Sequence, residues 1–144
     1  MIEQDTVKLL RECDAGVKMG VESIDSVLGY VKSDRLHGRL EKCKKEHDKL
    51  GGEIQSQLER FNDNGKNANP IAKGMSWLKT NVKLSMNESD HTIADLITDG
   101  CNMGVKSLNK YLNQYKAADE YSKDITKRLI NLEQDLANEI RTYL

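Results

Sequence analysis

One proline and seven aromatic residues (one Phe, one Trp and five Tyr) in 144 positions leave little material for a β-rich fold. Sandwiches and small barrels turn about every 8–12 residues and mark those turns with Gly, Pro and Asn. Neither sign of charge dominates, with 22 Lys and Arg against 23 Asp and Glu. A general nucleic-acid binder carries a clear basic excess, so nucleic acid is not an expected partner. An apolar content of 38% with a net charge of −1 also argues against a disordered chain. No uncharged run approaches the roughly 18 residues of a membrane span. The start, Met1-Ile2-Glu3-Gln4-Asp5, is not that of a signal peptide. Three cysteines, an odd number at irregular spacing, fit reduced thiols. The expectation is a cytoplasmic protein without a membrane partner. Residues 1–144 form one domain, large enough to build a core without disulfide or metal.

What the sequence does have is helical periodicity. Leu36, Leu40, Cys43, His47, Leu50, Ile54, Leu58 and Phe61 recur at steps of three or four among charged residues. That spacing predicts a long amphipathic helix, opened by Ser33 as N-cap and closed in Asn62-Asp63-Asn64-Gly65 by a left-handed residue. Gly51-Gly52 inside it predicts a weak point or a bend. The first quarter repeats the pattern through Leu10, Cys13, Val17, Val21, Ile24, Leu28 and Val31. A third helix starts at Asn87 and Asp90, read as a capping-box variant, and runs through Ile93, Ile97, Cys101, Val105, Leu108, Leu112 and Tyr115. A fourth runs from about Asp119 to the C-terminus along Ile125, Leu129, Leu132, Leu136, Ile140 and Tyr143. Short turns join the first two and the last two as antiparallel hairpins.

Between the hairpins, Pro70 followed by Ile71, Met75, Leu78 and Val82 predicts a shorter fifth helix on a long crossover. Trp77, Leu84 and Met86 lie off its main stripe. They fit contact with the bundle or, in a second reading, the surface of a homodimer or larger homo-oligomer. Two hexapeptides also match: Cys13-Asp14-Ala15-Gly16-Val17-Lys18 and Cys101-Asn102-Met103-Gly104-Val105-Lys106. If the first and third helices are antiparallel, Gly16 faces Gly104 and Gly20 faces Gly100, and the two backbones approach closely there.

Several short segments carry a family resemblance. They are Leu9-Leu10-Arg11-Glu12-Cys13-Asp14-Ala15-Gly16, the helix with Gly51-Gly52, Gly74-Met75-Ser76-Trp77-Leu78-Lys79 and Thr98-Asp99-Gly100-Cys101-Asn102. With the duplicated hairpin and long crossover, the chain resembles the ferritin-like superfamily, and within it a small bacterial family of four-helix bundles of unknown function. The resemblance implies an all-α, ferritin-like four-helix bundle of two antiparallel hairpins joined by a crossover with a short fifth helix. It also raises the question of a dinuclear iron site. Such a site takes a Glu from each of two helices and Glu-x-x-His from each of the other two.

This sequence lacks most of that set. Three residues before His47 stands Lys44, and three after Glu133 stands Leu136. The repeat partner of Asp14 is Asn102. Counting levels from the turns puts His47, Cys101, Glu133 and residues near Met19 at mid-bundle, with Asp14 about a turn away. Two carboxylates and one histidine remain as candidate metal ligands: Asp14, His47 and Glu133. Cys43 and His47 also stand at i, i+4, a spacing that can chelate zinc, and the competing reading makes them ordinary core residues. His37 and His91, near helix starts, are expected to be exposed. There is no Gly-x-Gly-x-x-Gly and no Walker loop, and no residues point to a catalytic centre.

The resulting expectation is a structural or interaction bundle without a cofactor. One alternative is a reduced, mononuclear or shared iron or zinc site on Asp14, His47 and Glu133. Another is a bundle whose seam of glycines and cysteines leaves a cavity for a small ligand.

Overall fold

The computed structural model describes residues 2–63, 65 and 89–144. Four helices account for most of them: α1 (Ile2–Leu28), α2 (Asp34–Arg60), α3 (Ser89–Gln114) and α4 (Glu120–Glu139), followed by a 3-10 turn at Arg141–Tyr143. There is no strand among the described residues, and no described helix is long and apolar enough to cross a membrane. The expected fifth helix, with Pro70, Trp77, Leu84 and Met86, lies outside the described residues, as does Asn87.

Local chemistry sets the helix ends. Ser33 Oγ accepts the backbone N–H of Leu36 at 3.2 Å, capping α2 as its sequence predicts. Past α2, Asn62 takes φ 56° and Gly65 φ 84°, the left-handed conformations that stop a helix. Asp119 caps α4 by accepting from Ser122 N at 2.8 Å. α4 is shorter than its periodicity suggests. Ile140 ends it, with its N–H still bonded to the Leu136 carbonyl, and the chain tightens into the 3-10 turn. Gly51 and Gly52 sit within one unbroken helix.

Each hairpin packs on itself, α1 with α2 and α3 with α4. Between hairpins α1 packs on α3 and α2 on α4, and α1 also touches α4, which leaves α2 and α3 on opposite corners. Both ends are cross-tied. Asp90, at the start of α3, accepts from Lys32 N (2.8 Å) and Ser33 N (3.0 Å) in the α1–α2 turn. At the far end, Ala117 N donates to Asp5 (3.0 Å) and Asp119 N to Thr6 Oγ1 (2.8 Å). These ties make α1 antiparallel to α3. They also place the end of α2 and the start of α3 at opposite ends of the bundle. On the outside, Arg128 of α4 forks onto Glu53 of α2 at 2.9 and 3.2 Å.

The core is divided. One apolar cluster gathers Ile24, Val27, Leu36, Leu40, Cys43, Ile93, Ile97, Cys101, Leu136 and Ile140 at the α1–α2 turn. The other gathers Leu10, Cys13, Val17, Leu50, Ile54, Leu58, Leu108, Ile125 and Leu129 toward the α3–α4 turn.

Candidate functional site

Between the two clusters each helix contributes one residue of a different kind: Gly20 from α1, His47 from α2, Gly104 from α3 and Glu133 from α4. The layer is built from two pairs, one in each hairpin. A β-carbon at Gly20 would fall 2.8 Å from Cδ2 and 2.9 Å from Nε2 of His47. A β-carbon at Gly104 would fall 2.8 Å from Oε1 of Glu133 and meet Oε2 as well. In each hairpin the second helix therefore lays a polar side chain into a notch left by a glycine of the first.

His47 is 2% exposed. Its Nδ1 lies 2.8 Å from the Cys43 carbonyl and 3.4 Å from Cys43 Sγ. A carbonyl only accepts, so Nδ1 carries the proton and Nε2 presents a bare lone pair. That Nε2 has no hydrogen-bond partner. Burial holds the imidazole below its ordinary pKa, in its neutral form. Glu133 is 8% exposed, and its Oε2 is likewise without a partner. Burial alone lifts its carboxyl to about 8, so at neutral pH it is mainly the protonated acid.

Asp14 does not belong to this layer. It is buried, yet its Oδ2 takes Lys18 Nζ at 2.7 Å and its Oδ1 takes Gln55 Nε2 at 2.7 Å. Gln55 lies eight residues beyond His47 on α2, about 12 Å at 1.5 Å per residue. Asp14 is therefore two turns from His47 rather than one, and its carboxylate is already neutralised. The three candidate metal ligands are not brought together. Among the described residues, no group of three or more His, Cys, Asp and Glu side chains is arranged to hold a metal.

The surrounding positions fit a metal no better. Lys44 turns outward to Asp25 at 2.6 Å. Leu136 belongs to the apolar cluster, and Asn102 is exposed rather than set against Asp14. The cysteines are buried thiols. Burial pushes Cys13 and Cys43 up to about 12 and Cys101 further still, which disfavours the thiolate that binds metal or attacks an electrophile. Cys13 Sγ instead sits 3.2 Å from Thr126 Oγ1. His91 is exposed and the His37 side chain is 40% exposed, as expected from their places near helix starts.

The glycine pairing read from the hexapeptide match is overturned. The β-carbon direction of Gly16 meets Leu129 of α4 at 3.6 Å, and that of Gly100 meets nothing within 4 Å. Gly20 and Gly104 face side chains of their own hairpin partners, not the opposite glycines. Both the direction around each axis and the height were misread, since Gly20 shares a layer with Gly104 rather than with Gly100. The level count from the turns came near the true pairs, setting His47 beside residues near Met19 and Glu133 beside Cys101, one and three residues from the glycines they meet.

No family model, curated protein or solved structure matches the chain.

Proposed function

We propose that the protein is a ferritin-like four-helix bundle that has no dinuclear metal centre and works as a structural or interaction element rather than as an enzyme. The observation that carries this reading is the composition of the mid-bundle layer. A dinuclear site draws six ligands from four helices at one level. Here that level holds two glycines, one neutral imidazole and one carboxyl group. Asp14, the other buried carboxylate, is taken up by Lys18 and Gln55. Self-association belongs to the same reading, and light scattering would find a species heavier than the 16.3 kDa chain at tens of micromolar.

A second reading, a reduced iron or zinc site on His47 and Glu133, draws support from their two unpartnered atoms at one level. Elemental analysis separates the two. The structural reading expects no stoichiometric iron or zinc in the protein as purified, and a His47→Leu variant whose melting is unchanged or slightly raised. One equivalent of metal in the wild type, lost in that variant together with its metal-dependent stability, would overturn it.

A further inference from the structure

α3 stands at a corner of the bundle, packed on α1 and α4. Its outward face carries a stripe at steps of three and four: Asp95, Asp99, Met103, Lys106 and Lys110. All five are exposed. The stripe is divided by sign, with both acids toward the start of the helix and both bases toward its end. Like charges therefore stand four residues apart on each side of Met103, and they repel rather than neutralise each other.

None of the four charged groups forms an ion pair among the described residues. On α1, by contrast, the outward charges are spent: Arg11 meets Asp63, Lys18 meets Asp14 and Asp25 meets Lys44. Met103, in the middle of the α3 stripe, is 58% exposed. The other large apolar side chains exposed among the described residues lie elsewhere than mid-helix. Ile2 and Leu144 are at the chain ends, and Tyr30 is in the α1–α2 turn. Tyr121 is in the first turn of α4 and donates its hydroxyl to Glu53.

We propose that this face of α3 docks on the same face of a second copy of the chain, with the two helices antiparallel about a two-fold axis beside Met103. With the axis between Asn102 and Met103, Asp95 of one copy comes level with Lys110 of the other, and Asp99 with Lys106. The symmetry repeats both pairs. From Asp95 to Lys110 the stripe spans about 22 Å at 1.5 Å per residue. The two Met103 side chains meet at the axis and leave water together. A parallel arrangement would set acid against acid and base against base, so the division by sign selects the antiparallel one. The inference rests on the self-association proposed above and names its surface. Contact along one pair of helices falls at the low end of interface size, so the dimer is weak and sensitive to salt.

The test is sedimentation equilibrium of the full chain at about 20 mM salt, where screening is weak. A monomer–dimer equilibrium with a Kd of about 50 µM is expected, weakened about fivefold or more at roughly 500 mM salt. Two double variants probe the charges. Asp95→Lys with Asp99→Lys makes the stripe all basic, and Lys106→Asp with Lys110→Asp makes it all acidic. Each alone should associate about tenfold more weakly while far-UV dichroism stays unchanged, because all four positions are exposed. Mixed in equal amounts, the two should form a heterodimer at least as tight as the wild-type dimer, since every pair across the axis then joins opposite signs. Met103→Ser should weaken the wild-type dimer about fivefold. Lys127→Ala, on the exposed side of α4, leaves the Kd as it was. A wild-type dimer whose Kd is the same in the α3 variants, or a mixture that forms no heterodimer, would overturn this surface and leave self-association standing. A chain that stays monomeric up to about 500 µM would overturn both.

Discussion

The imidazole of His47 occupies the space that a side chain at position 20 would take, with Nε2 2.9 Å from where a β-carbon of Gly20 would lie. The same relation joins Glu133 to Gly104 in the second hairpin. Glycine at these two sites is thus a matter of room for a neighbour, not of backbone freedom, since both lie inside regular helices.

Alanine substitutions should sort the helical glycines by what stands in front of them. Gly20→Ala and Gly104→Ala are expected to destabilise by roughly 1–3 kcal/mol, because a buried side chain must shift. Gly52→Ala and Gly38→Ala meet nothing within 4 Å. They should instead stabilise by about 0.5–1 kcal/mol through helix propensity. Urea unfolding of the four variants reads both signs.

Stability should fall between about pH 6.5 and pH 8. Glu133 keeps its proton in the folded state up to about 8 but loses it near 4.5 when unfolded, so its contribution declines as pH rises through that window. His47 acts in the opposite sense. Its folded pKa lies below the ordinary 6.5, so below that value the unfolded state gains a proton that the folded state does not. The two slopes oppose each other under pH 6.5, and above it only the Glu133 slope remains, at most about 1.4 kcal/mol per pH unit. Glu133→Gln should flatten the melting temperature across pH 6.5–8, and an unchanged slope in that variant would place the titrating group elsewhere.

Thiol titration under native conditions should find no rapidly reacting cysteine, and all three after denaturation. Each cysteine is buried, and at Cys43 burial outweighs the neighbouring Arg39 cation that favours the thiolate. A fast-reacting thiol in the native protein would contradict that burial.

Asp90→Ala should destabilise by roughly 0.5–1.5 kcal/mol, since it removes the acceptor of the exposed Lys32 N–H, which can turn to water, and of the half-buried Ser33 N–H. Asn at the same position keeps one acceptor and should recover part of the loss. Thermal melts of the two variants measure it.

Much of the helical layout was legible because each inward stripe is interrupted by charge on both sides. Ser33, Asn62 and Asp119 could be placed at helix ends from their chemistry alone. Asp90 could not. Its spacing suggested a local cap, whereas its carboxylate serves a turn 57 and 58 residues earlier in the chain. His47 and Glu133 were recognisable as polar groups on apolar stripes. Asp14 looked like their companion because periodicity reports the face of a helix and fixes height only through the turns. Set about a turn from that layer by the level count, it is in fact held further off by Lys18 and Gln55.

The divided core also bears on alignment. Within either apolar cluster, leucines and isoleucines of neighbouring helices are similar enough to tolerate a slide of one turn. At the middle they are not. A slide of α2 along α1 would carry His47 off Gly20 and against Val17 or Ile24, and a slide of α4 along α3 would set Glu133 against Cys101 or Leu108. Unpaired polar atoms already cost about 1–3 kcal/mol each in the native layer. Displaced ones would add steric conflict to that cost. The His–Gly and Glu–Gly notches thus act as keys that admit a single register, in the way a lone buried polar residue fixes the alignment of a coiled coil.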